Sequence, residues 1–386
     1  MANGSYSLSG YGAMISDRIR MDAFAAALRA AIFPGAVVMD IGTGTGIMSV
    51  LAVQLGASKV YAIEPDPVIQ IAREIAVANQ CSEKIEFLED ISTNVTDRIQ
   101  ADVIVSDMRG VLPLFGSHIP SVVDARRRFL APGGKLIARR DRIWAAAVEA
   151  PEVYGKLVDP WSPDRLGQNM LAARPKVLNE FRRIRVKPEE LVTTPKLWAT
   201  LDYTSIVSPD IRGLLEWRAE RDGTAHGFLV WFDVELADGV NFSTGPESPE
   251  TVYGAAFFPW QEPVRLIAGQ SVSVELEAKL LDADYFWRWK TRIAPPENAG
   301  GSAVSFEQSH LQAAILSPSK LHKSASDYVP QLSAEALLHR RALELMDGQM
   351  ALEGIARQLA SEFPQRFTHW HKALSYAGAI SQDFSR

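Results

Sequence analysis

The spacing of apolar residues changes twice along the chain. From about 14 to 33 they recur at helical intervals. Five short runs follow, VVMDI (37–41), KVYAI (59–63), KIEFL (84–88), ADVIV (101–105) and GGKLIA (133–138), rich in β-branched residues and separated by helix-length segments. That alternation predicts a parallel sheet with helices on both faces, in a first domain over 1–145. Beyond it, LWATLDYTSI, HGFLVWFDVEL, GQSVSVELEAKL and YFWRWKTRI read as half-buried antiparallel strands, for which a barrel or sandwich over 146–293 is the simplest arrangement. The stretch 160–185 interrupts them as a helical excursion. APPENAGGSA (294–303) has the composition of a linker. The remainder, 304–386, is expected to be mostly helical, with LSAEALLHRRALELMDG and ALEGIARQLASEF joined at an Asp-Gly turn.

Composition narrows the class. A length of 386 residues suits two or three domains, and 47% hydrophobic with 22% charged residues is ordinary for a globular protein. Forty Lys+Arg against 46 Asp+Glu give a net charge of −6, which argues against a general electrostatic grip on nucleic acid. The single cysteine, Cys81, leaves no internal disulfide and no cysteine-rich zinc site, so no metal is expected and a reducing compartment is favoured. MANGSYSLSGYG at the start lacks a basic n-region and an apolar h-region. The apolar stretch AFAAALRAAIF is interrupted by Arg29 well short of the roughly 20 residues needed to cross a bilayer. A cytoplasmic protein without membrane segments is the expectation.

MDIGTGTG (39–46) ends the first strand and opens a helix, with glycines at 42, 44 and 46 and an acid at Asp40. Glycines there let the backbone approach a ligand, and the helix start offers free N–H groups. Glu64 ends the second strand, placed to accept both hydroxyls of a ribose. A dinucleotide-binding G-x-G-x-x-G would need glycine at 47, where Ile47 stands. Strand, D-x-G-x-G-x-G, helix, strand and terminal Glu, in that order, resemble class I S-adenosylmethionine-dependent methyltransferases. The resemblance implies S-adenosyl-L-methionine as cofactor, held by Asp40, Gly42, Thr43, Gly44, Gly46, Ile47, Glu64 and Pro65, with Asp90 and Ile91 facing the adenine.

The flanks narrow this further. YGAMISDRIRMDAF (11–24) is similar to the N-terminal helix motif of the protein arginine methyltransferase family, matched by Met14, Asp17 and Arg20. By that resemblance Arg20 grips the carboxylate of the cofactor's methionine moiety, a task suited to a guanidinium fork; a surface salt bridge on an amphipathic helix is the alternative. LVTTPKLWATLDYTSI (191–206), FLVWFDVEL (228–236) and NFSTGPESPET (241–251) resemble the family's β-barrel, and 160–185 sits where the family carries its dimerisation arm. The implied fold is α/β, a Rossmann-like methyltransferase domain followed by an antiparallel β-barrel domain with a helical dimerisation arm, plus a small mostly helical C-terminal domain. The implied assembly is a homodimer. The resemblance covers about 10 to 293 and not 304–386.

One loop departs from the family. In SDMRGVLPLFGSH (106–118) the two glutamates that clamp the substrate guanidinium in the family are matched by Asp107 and Gly116, so the clamp is expected to be broken. Arg109 adds a cation that would repel a second guanidinium in a pocket of low dielectric. The family's Thr-His-Trp signature is replaced by Thr251-Val252-Tyr253, which removes the histidine expected to pair with Asp17; Thr368-His369-Trp370 lies in the helical region and is read as coincidence.

Methyl transfer from a sulfonium is an in-line displacement that positioning can largely accelerate. A carboxylate acceptor needs no base, whereas an amine or hydroxyl must lose a proton to a group such as Asp107 or His118. His118 either is that base or merely begins the helix IPSVVDARRRFL. Arg109 either anchors an acidic substrate group or points to solvent. The expected acceptor is thus a non-standard one, a nitrogen or carboxylate on a peptide, protein or small molecule. Arginine methylation with Asp107 alone, and a cofactor-binding scaffold of weak activity, stay open beside it. The C-terminal helix, Asp-Gly turn and helix look somewhat like winged-helix domains that present leader peptides to natural-product tailoring enzymes. A structural appendage is the plainer reading, and a DNA-binding helix-turn-helix would have only Arg357 to read bases.

Overall fold

The computed structural model describes residues 6–162, 167–296 and 302–385. The helical period near the start is cut at Asp17. Its extended backbone ends helix α1 (Leu8–Ser16), and its side chain accepts a hydrogen bond from the Arg20 amide at the start of α2 (Arg18–Ala31). Phe24, Ala27, Leu28 and Ala31 line one stripe of α2 and are buried.

The parallel sheet forms as the pattern predicts, from β1 (Val37–Ile41), β2 (Lys59–Ile63), β3 (Ile85–Leu88), β4 (Ala101–Ser106) and β5 (Leu130–Ile137), with α3 (Ile47–Gln54), α4 (Ile69–Ala78) and α5 (His118–Arg128) between them. Its order is β3-β2-β1-β4-β5. The chain runs outward in opposite directions from β1, so a crevice opens at the carboxyl ends of β1 and β4, where such sheets bind ligands.

The next strand, β6 (Arg140–Val148), already belongs to an antiparallel sheet, so the change of texture falls at about 139 and not 145. After it come α6 (Pro151–Val158), α7 (Arg174–Leu178), β7 (Arg182–Ile184), β8 (Lys196–Asp202), β9 (Ile211–Arg218), β10 (Gly223–Ala237), β11 (Val240–Ser243), β12 (Ala255–Leu266), β13 (Ser271–Leu281), β14 (Asp284–Ile293), β15 (Val304–Ser309) and α8 (His310–Ala313). Two sheets result, β7-β12-β10-β6-β8 with β11 on β10, and β15-β14-β13-β9. Their inner faces meet through aromatic rings: Phe258 of β12 lies 5.3 Å from Trp287 and 5.1 Å from Trp289 of β14. The excursion at 160–185 is only partly helical, with α7 and single turns followed by β7 pairing with β12; 163–166 lie outside the described residues.

The C-terminal boundary needs correction. Residues 304–309 are not helical but form β15, paired antiparallel with β14 from Ile293↔Val304 to Arg288↔Ser309. Phe306 and Gln308 point inward there and are buried, which ties the segment to the sheet. Part of the expected linker, 297–301, lies outside the described residues. The second compact unit begins at Ile315 and holds α9 (Pro318–Lys323), α10 (Ala334–Glu344), α11 (Leu352–Glu362) and α12 (Trp370–Phe384). Leu338, Ala342, Ile355, Leu359, Ala373, Ala377 and Ile380 form its core. At the predicted turn the Asp347 carboxylate accepts from the Gln349 and Met350 amides. No strand occurs among the described residues of 315–386, so the wing of a winged helix is not formed there. Thr368-His369-Trp370 begins α12, and Arg357 lies 4.1 Å over the Trp370 ring, so both serve local packing.

Candidate active site

The turn after β1 is stitched to β2: the Gly42 and Thr43 amides both donate to the Ile63 carbonyl. Gly44 and Gly46 have φ of 53° and 81°, a region that side chains strain to enter. A Cβ on Gly46 would also stand 2.9 Å from the Ala72 Cβ, and one on Gly44 2.7 Å from the Tyr11 ring. Asp40 faces inward. Its Oδ2 accepts from Thr43 Oγ1 at 2.6 Å and Ser49 Oγ at 2.7 Å, so it shapes the turn from beneath. Burial pushes its carboxyl up, against those hydrogen bonds.

Glu64, at the end of β2, is 8% exposed. Its Oε2 accepts from the Gly44 amide at 2.9 Å and its Oε1 from the Asp66 amide at 3.1 Å. Burial raises this carboxyl too. At the neighbouring strand end, Asp90 Oδ1 accepts from the Ile91 amide and from Asn94, and the Ile91 side chain is 48% exposed. Pro65 is exposed, and Ile47, half-buried, is the first residue of α3. A hydrogen-bond acceptor at the end of β2, a glycine turn free of side chains and an open apolar residue at the end of β3 fit a ribose diol, a closely approaching backbone ligand and an adenine. Tyr11 completes this cradle and was not singled out by sequence reasoning. Burial first, then the Glu64 and Asp66 charges, raise its hydroxyl pKa.

Beside the cradle, four charges alternate in one buried chain. Arg20 Nε donates to Asp107 Oδ2 at 2.6 Å, and its Nη1 to the Met14 carbonyl. Arg109 Nη1 donates to Asp107 Oδ1 at 3.1 Å. The rest of that guanidinium is held in a fork by Asp141, Nε to Oδ2 at 2.8 Å and Nη2 to Oδ1 at 3.0 Å. Tyr253 OH donates to Asp107 Oδ2, and Tyr203 OH to Asp141 Oδ2, each at 2.6 Å. Two arginines and two aspartates cancel. Burial alone would raise the Asp107 carboxyl, but Arg20 and Arg109 outweigh it and hold it at about 2.

Two expectations for the loop are corrected by this arrangement. Arg109 neither anchors an acidic substrate nor points to solvent: its side chain has no exposed surface and its charge is taken by Asp107 and Asp141. His118 is the first residue of α5, 2% exposed, and its Nδ1–H donates to the Pro113 carbonyl at 3.1 Å. Burial and then the Arg109 charge push its imidazole down to about 4, too weak for a base near neutrality. It lines an enclosed cavity of about 10 Å³ with Ser106, Val122 and Tyr203, among core side chains. Gly116 stands at φ 47° and brings no acceptor. Arg20 is ion-paired, yet buried and not on a surface.

Asp17, left without a histidine, accepts at Oδ2 from the Val252 amide at 2.7 Å. Asp141, Tyr203 and Tyr253 escaped the sequence reading as site residues. A signal existed for Asp141: in RDRI (140–143) the strand period puts this acid on the same inward face as Ile143.

Two family models match adjoining parts of the chain, "Ribosomal protein L11 methyltransferase (PrmA)" over residues 25–140 and "Arginine methyltransferase oligomerization subdomain" over 139–290. Protein arginine N-methyltransferase 6 of Xenopus tropicalis is 31% identical over 267 residues, spanning 66% of this chain and 78% of the relative. The chain belongs to the protein arginine methyltransferase family. It is therefore an S-adenosylmethionine-dependent methyltransferase. Protein arginine N-methyltransferase 1 of Dictyostelium discoideum is 27% identical over 277 residues, 70% of this chain and 81% of the relative. Among solved structures, the Trypanosoma brucei PRMT1 enzyme-prozyme heterotetrameric complex with AdoHcy has a TM-score of 0.70 at 20% identity, covering 78% of this chain and 97% of that one. Arabidopsis thaliana protein arginine methyltransferase 10 gives 0.68 at 22% identity, with 79% and 98% covered. The two family models meet at 139–140, where β6 begins.

Proposed function

We propose that this methyltransferase acts on an acceptor other than a guanidinium clamped between carboxylates, namely a nitrogen or carboxylate of a peptide, protein or small molecule that arrives uncharged or anionic. The observation that carries this reading is the neutral chain Arg20–Asp107–Arg109–Asp141. A cationic acceptor gains little from a cluster without net charge, and would have to displace Arg109 to be held between the two acids. Asp107, at about 2, does not take a proton in neutral solution. Three of its roughly four lone-pair sites are occupied, which leaves room on Oδ1 for one N–H of an acceptor.

S-adenosylmethionine, when bound, supplies a methyl group on a sulfonium. On the protein side, Glu64 and the Gly44 turn hold the sugar end, Asp90 and Ile91 flank the base, and Arg20 faces the amino-acid end. Tyr11 and α1 limit water above the turn. Asp107 then orients the acceptor and does not deprotonate it, so positioning supplies most of the acceleration.

Relatives named as protein arginine N-methyltransferases favour a second reading, arginine methylation with Asp107 alone. Release of S-adenosylhomocysteine over a panel of free arginine, arginine-rich peptides, amines, histidine peptides and carboxylate peptides separates the two. Turnover confined to acceptors other than arginine supports the first; turnover on arginine alone overturns it. A homodimer through the 160–185 arm and action in a reducing, cytoplasmic setting, suited to the unpaired and buried Cys81, belong to the same proposal.

A further inference from the structure

We infer that Arg109 is the specificity-determining residue of this site: its guanidinium fills a receptor for that same group, formed by Asp107 and Asp141, and thereby keeps other guanidinium ions out. The inference rests on the proposed function and explains it at one residue. The geometry is that of a binding site with its ligand built in. Asp141 engages Nε and Nη2 in a two-bond fork, Asp107 takes Nη1, and Tyr203 and Tyr253 orient the two carboxylates. The Tyr203 ring lies 5.8 Å from the Arg109 Cζ and closes one face. Both partners come from different parts of the fold, Asp107 from the end of β4 and Asp141 from β6, so the receptor is assembled by tertiary structure and not by the loop itself. Taking away this buried guanidinium leaves Asp141 without a counter-charge and Asp107 with Arg20 alone, a strongly unfavourable state that a free guanidinium of the right size relieves.

Arg109→Ala removes the atoms of ethylguanidinium, which defines the probe. For the full-length variant, ethylguanidinium at millimolar concentration should raise the melting temperature by several degrees in a saturable way. Tetramethylammonium at the same concentration should not, and the effect should vanish in Arg109→Ala/Asp141→Asn. Equal stabilisation by both cations, no stabilisation, or persistence of the effect without the Asp141 charge would each overturn the inference and reduce Arg109 to a structural ion pair. Where Arg109→Ala does not fold unaided, the readout is recovery on dilution from urea. Recovery with ethylguanidinium alone supports the receptor, and recovery with neither or with both cations defeats it. Wild-type turnover on arginine peptides would defeat the proposed function while leaving these binding results to stand or fall separately.

Discussion

At the scale of single residues, the site is governed by where burial and charge put each titratable group. The position of Glu64 at the end of β2, against the glycine turn, was legible because the strand pattern stops there and an acid follows it. The roles of Arg109 and His118 were not, because a loop sequence does not say which side of the sheet a side chain meets. Arg109 finds Asp141 across 32 positions and His118 falls among core residues, pairings that no local spacing encodes. Glu64→Ala removes an acceptor of two backbone amides and, on the proposed binding, of the ribose diol. Calorimetry of S-adenosylhomocysteine binding should show a loss of at least about tenfold, from hydrogen bonds worth roughly 1.5–3 kcal/mol each; unchanged affinity would contradict the ribose assignment. The acid limb of stability follows from two depressed groups. His118 titrates near 6.5 when unfolded and about 4 when folded, so the unfolded chain binds a proton the native one lacks, and stability falls as pH drops through that window. The loss is on the order of 3 kcal/mol. Asp107 adds a second loss from about pH 4 down to about 2, as its carboxylate is protonated and its partners are left unpaired. Urea titrations of His118→Gln between pH 6.5 and 4 should show a slope lower by up to one proton than wild type, and an identical slope would refute the assignment.

At the scale of elements, the hydrophobic period read β1, β2 and β4 almost to the residue, since these inner strands are largely buried and bounded by turns, whereas the part-exposed edge strand β5 starts three residues before its apolar run. It failed where polar residues are buried. VSFEQS (304–309) alternates as a strand, but its Gln308 is buried on the Leu178 and Pro259 carbonyls, and so short a run beyond the linker passes for the start of the helical segment until its partner β14 is known. The same element makes a test. A chain ending at 314 keeps β15 and should unfold with a midpoint close to that of the intact first unit. One ending at 303 uncovers Trp289 and loses Phe306, and should be less stable by several kcal/mol from lost burial and ladder hydrogen bonds. Equal urea midpoints for the two would show that β15 does not complete the sheet.

At the scale of the molecule, the order of the two domains was legible from the change of texture, and the family models follow the same order from residue 25 to 290. The C-terminal unit was legible only as helices, because an Asp-Gly turn between two amphipathic helices recurs in many architectures. Within the first unit, the Asp17–Val252 bond and the Arg20–Tyr253 pair join the N-terminal helices to the antiparallel sheets, so the cradle and the acceptor side are set by one packed body. The arm leaves Met170 and Leu171 exposed. Sedimentation should find the full chain as a homodimer, and deletion of 160–185 should convert it to a monomer; a wild type already monomeric would refute the arm's role.

The carboxylates of this site are occupied by the protein's own arginine. Mass spectrometry of an arginine-rich peptide, incubated with wild-type enzyme and S-adenosylmethionine at stoichiometric enzyme, tests it most directly. No methylarginine should form, while methyl transfer to a carboxylate or non-guanidinium nitrogen should proceed under the same conditions. Methylarginine formed in amounts equivalent to the enzyme would contradict it.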